Sequence, residues 1–266
     1  MKKIEIFCVT NISSKKLETL KLSLAGVGKK KFSSQYISCA KGINIQKKEK
    51  NYSELTFHYW FWKNKLKDCD NKTWIGFCQK RRFWLKKKVN NNTYIKLKKN
   101  ILKKVPAKWK NFDSVLCEPI SVSGHKKMKL IKRGWRNVFK NPNVFFNKDK
   151  QNIKLHFDMH HGYGVLDKAI NVLNKKDRDE FRDYVNTSLG FNPHIMFIAK
   201  KKIAEKWFKS LFEWLFKCEK VFGTKKLIGY DQERLYAYLA ERYLPFWFKK
   251  YANPTDWPWT FFDLKK

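Results

Sequence analysis

Acidic residues are scarce in this chain of 266 residues: 23 Asp and Glu stand against 59 Lys and Arg, which gives a formal net charge of +36. Such an excess attracts polyanions of every kind, including nucleic acid, anionic lipid and nucleotide diphosphates. Most of the excess is lysine, in a chain also rich in Asn, Ile and Phe, a composition that an AT-rich genome produces. Charge alone therefore leaves open whether the excess is functional or compositional, because net charge governs solubility and non-specific binding rather than fold.

Long apolar runs and paired cysteines are also missing. No stretch of about 18 uncharged apolar residues occurs, so a membrane-spanning helix is not expected. The short apolar run near the amino terminus is interrupted by Glu5 and no cleavage region follows it, which argues against a signal peptide. None of the cysteines forms a Cys-x-x-Cys pair, which argues against a disulfide scaffold or a zinc knuckle. We therefore expect a cytoplasmic protein, with peripheral association at the inner face of an anionic membrane as a compatible variant.

The chain has enough apolar residues to fold. A hydrophobic fraction of 43% with 17% aromatic residues excludes a wholly disordered protein. A chain of this length can bury one sizeable core, as one large domain or as a domain with an appended subdomain. No internal repeat of solenoid length is visible.

The most informative segment runs from Tyr52 to Trp84. Apolar residues first recur at three- and four-residue steps, which predicts an amphipathic helix with Asn51 as its cap and Glu54 as capping-box partner. An apolar run over 74–78 then predicts a buried strand. In open α/β sheets ligands bind beyond the carboxyl ends of strands, and adjacent arginines suit a phosphate or diphosphate. The polar residues that follow this strand are Gln79, Lys80, Arg81 and Arg82.

The remaining elements follow from periodicity and from helix stop signals. Further strands are predicted at 4–10, 112–120 and 192–199, and further helices at 165–173, 178–189 and 203–222. A last helix is predicted to begin at Asp231 and to be kinked or divided at Pro245.

Three segments have a weaker pattern. The basic segment 121–152 is predicted to be a mobile loop over the site, because Pro142 argues against a long helix there. Lysine and asparagine dominate 85–110, which is a solvated connection or a basic patch that faces lipid or glycan. The aromatic tail 257–262 either packs in the core, which we favour, or faces a membrane.

The segment 52–84 and four further short matches resemble the bacterial capsular and exopolysaccharide biosynthesis glycosyltransferase family, long catalogued only as a domain of unknown function. Each match is weak by itself, but all occur in the family's order and span most of the chain. The resemblance implies an α/β fold, with a GT-A-like nucleotide-binding mixed sheet flanked by helices and a helical C-terminal part. The further matches are Asp113–Leu116, His160–Asp167, Met196–Lys200 and Arg234–Tyr243.

The resemblance also implies a function. It points to a hexosyltransferase-class enzyme that moves a sugar from a nucleotide-diphosphate-sugar donor to a surface-polysaccharide or lipid-linked glycan acceptor. It implies one glycosyltransferase-like domain over 1–266. Within it, 1–120 is the nucleotide-sugar-binding half, 121–152 the basic loop region and 153–266 the acceptor-side, mainly helical half.

Site residues can be assigned from the same matches. The catalytic candidates are His160, His161 and Asp167, because a transfer that inverts the sugar needs a base to take the acceptor's proton. Each histidine is equally compatible with capping or with a backbone hydrogen bond. Glu54 is equally compatible with capping a helix, and Glu241 with Arg242 either pairs in the core or reaches the cleft. Donor- and phosphate-binding candidates are Thr10, Glu54, Tyr59, Lys63, Arg81 and Arg82. Acceptor or structural candidates are His194, Arg234, Glu241 and Arg242.

The leaving diphosphate needs its charge neutralised, by a divalent cation on an Asp-x-Asp pair or by basic side chains. The chain has an Asp68-Cys69-Asp70 sequence, but it precedes the 74–78 strand and so lies away from the predicted site. We therefore expect Arg81 and Arg82 to neutralise the charge. No cofactor is then required, although Mn or Mg is compatible. A metal site of Asp158, His160 and His161 is disfavoured, because adjacent side chains of an extended segment point to opposite faces.

The chain departs from the resembled pattern at two positions. Gln79-Lys80 stands where His-Tyr is usual, and Ile195 stands where an asparagine is usual. If the family's histidine moves protons, glutamine cannot replace it. One alternative is therefore a catalytically degenerate relative that binds a glycan. The other is a basic, aromatic nucleic-acid-binding protein, although no recognisable binding motif supports it.

Overall fold

A computed structural model describes residues 3–89 and 93–264, and this part of the chain forms two compact units. Unit 1 comprises Met1–Glu118, His194–Ser210 and Trp247–Lys266. Unit 2 comprises Pro119–Pro193 and Leu211–Phe246. The predicted functional halves, 1–120 and 153–266, stay a prediction, and the compact units follow different boundaries.

The described chain contains both strands and helices, with the helices concentrated between β7 and β8 and between β9 and β10. The strands are β1 (Ile4–Thr10), β2 (Ser23–Gly26), β3 (Tyr36–Ser38), β4 (Trp74–Gln79), β5 (Arg82–Trp84), β6 (Ser114–Cys117), β7 (Ile120–Ser121), β8 (Gly190–Phe191), β9 (Phe197–Lys200), β10 (Pro254–Trp257) and β11 (Trp259–Phe261). The helices are α1 (Lys15–Glu18), α2 (Glu49–Tyr52), α3 (Leu55–Asn64), α4 (Tyr94–Asn100), α5 (Lys127–Lys140), α6 (Asn143–Phe146), α7 (Ile153–His161), α8 (Val165–Asn171), α9 (Lys175–Thr187), α10 (Lys201–Phe222), α11 (Tyr230–Glu233) and α12 (Leu235–Tyr251).

Unit 1 is built on a mixed sheet with the strand order β10-β6-β9-β4-β1-β2-β3. Strands β4, β1, β2 and β3 are parallel, and β9 is antiparallel to both β4 and β6. Strand β6 therefore runs in the direction of β4, and β10 is parallel to β6. Strands β5 and β11 extend the sheet beyond the end of β4. The predicted mixed α/β sheet with flanking helices is confirmed.

Strands β1 and β4 are buried on both faces of the sheet. Their register pairs Phe7 with Phe77 and Cys8 with Cys78, so successive pairs point to opposite faces. This two-sided burial explains their almost continuous apolar sequences.

Helices cover the face of the sheet that carries Phe7 and Phe77. The Phe7 ring lies 4.8 Å from the ring of Phe61 on α3, and the Phe77 ring lies 4.2 Å from that of His58 on the same helix. The first turns of α10 join them through Phe208, 5.7 Å from Phe77. Aromatic side chains thus form this layer of the core.

The other face carries a second layer of buried residues. Trp74 lies 5.2 Å from Trp109, which lies 5.1 Å from Trp257 of β10. Trp259 and Phe262 are partly buried against the same layer. The favoured packing of the aromatic tail in the core therefore holds for Trp257, Trp259 and Phe262, whereas Phe261 is 52% exposed.

Unit 2 contains the two-stranded antiparallel sheet of β7 with β8 and a core of helices. The Phe181 ring of α9 lies 5.9 Å from Trp214 of α10 and 5.2 Å from Tyr243 of α12. Two buried polar groups in this core are paired: the Trp214 Nε1 donates to the Ala169 carbonyl and the Tyr243 hydroxyl donates to Asp177.

The helix predicted from Asn51 onward is divided in the structure. Helix α2 ends at Tyr52, Ser53 has a φ of 51°, and α3 begins at Leu55. The predicted Asn51 cap is wrong, since Glu54 occupies the N-cap position of α3 and its side chain makes no capping hydrogen bond. A positive φ at a serine interrupts the helical backbone in a way that apolar periodicity cannot reveal.

Other local predictions also need correction. The predicted loop 121–152 contains α5 and α6, and Pro142 stands at the N-cap of α6, where its missing N–H costs little. The last helix begins at Leu235 rather than Asp231 and continues past Pro245 to Tyr251. In the part of the chain that the structure describes, no helix has the length and apolarity that crossing a bilayer requires.

The buried His58 predicts a specific loss of stability in acid. Burial lowers the pKa of His58 to about 3, below its unfolded value of about 6.5. The unfolded state therefore binds a proton first, so this contribution to stability is present above about pH 6.5 and is lost as the pH falls toward about 3. We expect His58→Leu to reduce this loss, measured by urea unfolding at about pH 7.5 and about pH 4.5.

Phe57→Leu is the matched control, because Phe57 is equally buried on α3 and does not titrate. Its effect on the free energy of unfolding should be the same at both pH values. If His58→Leu changed that free energy by the same amount at both pH values, the acid sensitivity would have to be assigned elsewhere.

Candidate functional site

A tight hairpin forms the carboxyl end of β4. Gln79 ends the strand, Lys80 and Arg81 form the turn, and Arg82 begins β5 opposite Gln79. The predicted strand thus delivers its polar residues to the carboxyl edge of the sheet. This is the edge at which open α/β sheets bind ligands.

The end of β1 lies beside this hairpin because β1 and β4 are parallel neighbours. Thr10 is buried there, and its Oγ1 donates to the Ile12 carbonyl at 2.7 Å and accepts the Ile12 N–H at 3.1 Å. The Lys80 ammonium donates to the Asn11 side chain. The donor-side candidate Thr10 therefore shapes the loop that meets the arginine hairpin.

An aromatic residue from the end of the chain supports both arginines. The guanidinium carbons of Arg81 and Arg82 lie 5.6 and 5.9 Å from the centre of the Phe261 ring. Arg82 also donates to the Gln79 side-chain oxygen at 2.9 Å, and the Phe262 N–H donates to the Arg81 carbonyl. Strand β11 and Gln79 thus hold the two cations next to each other.

The two arginines lack an acidic partner. Within residues 3–89 and 93–264, no carboxylate forms an ion pair with Arg81 or Arg82, and the buried Nε of each has no hydrogen-bond partner. A half-buried cation with unsatisfied donors is costly to keep in a folded protein. Two such cations side by side form a site for an anion that can accept several hydrogen bonds.

The antiparallel strand β9 begins at the same edge. His194 precedes it with a φ of 70°, and its ring lies 4.6 Å from that of Trp259. Trp259 also donates its indole N–H to the Glu118 carbonyl at the end of β6. Ile195, at the position of the family's asparagine, is buried. The structure therefore brings the candidate His194 to the edge that carries Thr10 and the arginines.

The other donor-side candidates lie on or next to α3. Glu54 precedes its first residue, and Tyr59 and Lys63 follow along the helix. The Lys63 ammonium lies 3.5 Å from the centre of the Trp62 ring and 5.8 Å from that of Tyr59. Cation–π contacts of this kind account for Lys63 without a ligand.

The catalytic candidates of unit 2 belong to a cluster of imidazoles. His156, His160 and His161 lie on α7, with ring centres 4.8 Å apart for the first two and 6.0 Å apart for the last two. The ring of His125 stacks on His156 at 5.7 Å. Because α7 is a helix, the extended segment predicted around His160 and His161 is wrong.

Hydrogen bonds assign the tautomers of these imidazoles. The Nδ1 of His161 donates to the Asp231 carbonyl at 2.9 Å, which leaves its Nε2 unprotonated. His160 Nδ1 and His156 Nδ1 accept from Arg133 and Arg242, each at 3.1 Å, because a guanidinium only donates.

All three imidazoles are uncharged at neutral pH. Burial, with nearby Lys129 and Arg133, lowers the pKa of His160 to about 4. Burial and Arg242 lower the pKa of His161 to about 4, and burial with Arg242 lowers that of His156 to about 2. Each can accept a hydrogen bond at neutral pH, but none is a strong base.

Arg242 is the buried charge at the centre of this cluster. It forms an ion pair with Glu241 and lies 4.1 Å from the centre of the Phe191 ring. The expectation that this charge needs partners is met inside unit 2. Arg234, by contrast, caps α11 and lies 5.4 Å from the Tyr230 ring.

Asp167 belongs to a separate ion-pair group. Lys154 lies 2.9 Å from Asp158 and 3.1 Å from Asp167. Burial lowers the pKa of Lys154, but its hydrogen bond and the charges of both carboxylates outweigh this and raise it. Asp167, the carboxylate of the matched segment, is thus paired with a lysine rather than with His160 or His161.

The described residues contain no arrangement of three or more His, Cys, Asp or Glu side chains suited to a metal ion. Asp68 and Asp70 line a cavity of about 690 Å³ next to Lys3, at the amino end of β1. Asp70 accepts the Lys72 N–H there. The Asp68-Cys69-Asp70 sequence thus lies at the edge of the sheet opposite the arginines. Its carboxylates are too far from the arginine hairpin to hold a metal ion for a diphosphate bound there.

Sequence reasoning missed several residues that shape these two places. His125 and His156 complete the imidazole cluster, and Asn11 and Phe261 hold the hairpin. The helical spacing of His156 and His160 was a usable signal for the first. Nothing in the sequence joins Phe261 to Arg81, because that contact depends on a chain end pairing with β5.

The sequence over residues 4–253 matches the family described as "Domain of unknown function (DUF4422)". The chain belongs to this family. No curated protein matches the DUF4422 chain. Its fold is similar to that of the WbbM bifunctional glycosyltransferase in its apo structure, with a TM-score of 0.69 at 16% identity. The similarity covers 98% of this chain but 45% of the WbbM chain.

The arginine hairpin predicts binding of inorganic pyrophosphate. We expect the double substitution Arg81→Ala with Arg82→Ala to weaken pyrophosphate binding by about tenfold or more, because each guanidinium supplies charge-assisted hydrogen bonds. Isothermal titration calorimetry measures this directly.

Lys87→Ala with Lys96→Ala is the matched control, since both lysines are exposed and the change in net charge is the same. Equal weakening by the two double variants would mean that the overall charge, rather than the hairpin, attracts the anion.

Proposed function

We propose that this DUF4422 protein is a glycosyltransferase. It takes a sugar from a nucleotide-diphosphate-sugar donor and transfers it to a glycan or lipid-linked acceptor of a surface polysaccharide such as a capsule or exopolysaccharide. The observation that carries the proposal is the pair of half-buried arginines, without an acidic partner in the described chain, at the carboxyl edge of the sheet.

The chemistry of the donor explains why such a pair is useful. Transfer breaks the bond between the sugar's anomeric carbon and a phosphate oxygen, and the oxygen leaves with the electron pair. The nucleoside diphosphate therefore gains negative charge as the reaction proceeds. Guanidinium groups already held in position stabilise that charge in the transition state. Phe261 and Gln79 supply this positioning.

The structural similarity to WbbM supports assignment to the glycosyltransferases. WbbM is named as a bifunctional glycosyltransferase, and this chain shares its fold over a little less than half of that protein. A shared fold does not by itself transfer an activity. The proposal therefore depends on the site, and the likeness adds to it.

The acceptor's proton needs a group that can take it. In our proposal His161 is the candidate, because its Nδ1 proton is held by the Asp231 carbonyl and its Nε2 has a free electron pair. When the acceptor oxygen bonds to the anomeric carbon it releases a proton, and an imidazole whose Nε2 is unprotonated can accept it. A pKa near 4 makes this imidazole a weak base, which suits a transfer in which bond breaking precedes proton loss.

Turnover of nucleotide-sugar donors tests the proposal. We expect slow hydrolysis of at least one member of a panel of uridine- and guanosine-diphosphate sugars, with faster release of the nucleotide when a glycan acceptor is added. The Arg81→Ala, Arg82→Ala variant should lose about a hundredfold in kcat/KM. The reason is that the two guanidinium groups it lacks interact more strongly with the leaving diphosphate in the transition state than in the ground state. Coupled detection of the released nucleoside diphosphate gives the rate.

The Lys87→Ala, Lys96→Ala variant should retain the wild-type rate in the same assay. Thermal stabilisation by uridine diphosphate without turnover of any donor would instead indicate a binding-only relative, as the Gln79 and Ile195 departures allow. It would contradict the proposed transfer.

The role of the arginines also predicts insensitivity to chelators. If Arg81 and Arg82 neutralise the leaving group, then excess EDTA should leave the transfer rate within about twofold of its initial value. Added Mn²⁺ or Mg²⁺ should have an equally small effect. Loss of activity in EDTA that Mn²⁺ restores would show that a cation carries this role.

A further inference from the structure

Helix α5 exposes a stripe of large apolar side chains. Met128, Ile131, Trp135 and Phe139 are 62, 49, 58 and 84% exposed. Their spacing of three, four and four residues puts all of them on one face of the helix. Phe146 on α6 is another large apolar side chain in this region, at 78% exposure. We call these five residues the α5 surface.

The stripe is not the face by which α5 packs in unit 2. That face carries Leu130 and Gly134, which are buried. Leu130 belongs to a small core with Leu155 and Met159 of α7, and a Cβ added to Gly134 would lie 3.2 Å from Met159. The helix is therefore anchored by one apolar face and presents a second one outward.

Cations border the α5 surface. The helix contains no acidic residue, and its cations are Lys127, Lys129, Lys132, Arg133, Arg136 and Lys140. Arg133 is committed to the protein, since it lies 3.5 Å from Asp231 and donates to His160. The Lys127 ammonium lies 5.2 Å from the Phe145 ring and 6.0 Å from the Phe146 ring. At 100° per residue, Lys132 and Arg136 follow Phe139 around the helix, so charge adjoins the apolar stripe directly.

We propose that the α5 surface docks onto the interface of an anionic lipid bilayer. An amphipathic helix with aromatic and aliphatic side chains on one face and cations beside them inserts the apolar side chains below the lipid headgroups. Lysine and arginine then meet the phosphates of anionic lipids. This inference concerns a binding surface on unit 2 and stands independently of the glycosyltransferase proposal.

Charge and side-chain chemistry favour a membrane over two other occupants. A second copy of this chain would bring the same cations against this surface, which a net charge of +36 opposes. Single-stranded nucleic acid could stack bases on the aromatic residues Trp135, Phe139 and Phe146, but it would leave the aliphatic side chains of Met128 and Ile131 without an apolar partner. A bilayer interface satisfies both the apolar stripe and the cations.

Co-flotation of the protein with vesicles tests the proposal. One vesicle preparation is neutral phosphatidylcholine, and the other contains phosphatidylcholine with phosphatidylglycerol as the anionic lipid. We expect binding to the anionic vesicles that weakens with salt, and much less binding to the neutral ones.

Two variants separate the contributions of the stripe and of the charge. Trp135→Ser with Phe139→Ser keeps every charge and should lower the fraction bound to anionic vesicles about tenfold or more. Lys132→Gln with Arg136→Gln should weaken binding by about tenfold and flatten its salt dependence. Ile95→Ser with Ile228→Ser is the control, because these residues are 67 and 78% exposed elsewhere on the chain.

The changed side chains are exposed, and circular dichroism with thermal melting checks that each variant is folded. The proposal is overturned if Trp135→Ser with Phe139→Ser binds anionic vesicles as well as the wild type. It is equally overturned if the wild type ignores these vesicles, or if the same variant instead loses binding to a single-stranded oligonucleotide while vesicle binding is unchanged.

Discussion

The parallel pairing of β1 with β4 is the constraint on which the rest of unit 1 depends. It runs without interruption from Ile4 opposite Trp74 to Val9 opposite Gln79. Because the two strands end together, the Thr10 loop and the arginine hairpin meet at one edge. A one-residue slip would turn Phe7 and Phe77 away from α3, so burial of these rings determines the register. The site is thus a consequence of packing in the core beneath it.

The imidazole cluster of unit 2 and the arginine hairpin of unit 1 both contain arginines that are wholly or partly buried. The two sites differ in whether those arginines have an acidic partner. In unit 2, Arg242 is buried against Phe191, forms an ion pair with Glu241 and donates a hydrogen bond to His156. In unit 1, Arg81 and Arg82 are held by Phe261 and Gln79, without a carboxylate partner in the described chain. Arg242 thus has a carboxylate partner, although its Nε makes no hydrogen bond. An anionic ligand would supply the negative charge that Arg81 and Arg82 lack within the described chain.

In helix α5, some apolar residues pack in the core of unit 2 and others are exposed to solvent. Its buried face joins α7 through Leu130 and Gly134, and its second apolar face is exposed beside a row of cations. Sequence patterning detects amphipathicity most easily when a helix has one apolar and one polar face. The buried and exposed apolar residues of α5 form one wide arc opposite most of its cations, so the pattern itself indicates an amphipathic helix. The prediction of a basic loop over 121–152 gave more weight to the cations and to Pro142 than to this periodicity.

The sequence by itself determined the strongest elements: β1 at Ile4–Thr10, β4 from Trp74, and the long helix α10, because each is a run of buried residues whose periodicity is local. It also placed Gln79 to Arg82 at a strand end, but it left open whether Glu241 and Arg242 pair in the core or reach the cleft. Only the tertiary structure decided the break at Ser53, the imidazole cluster around His156, and the contact of Phe261 with the arginines. These depend on residues far apart in the chain or on one backbone angle, and local periodicity carries no information about either.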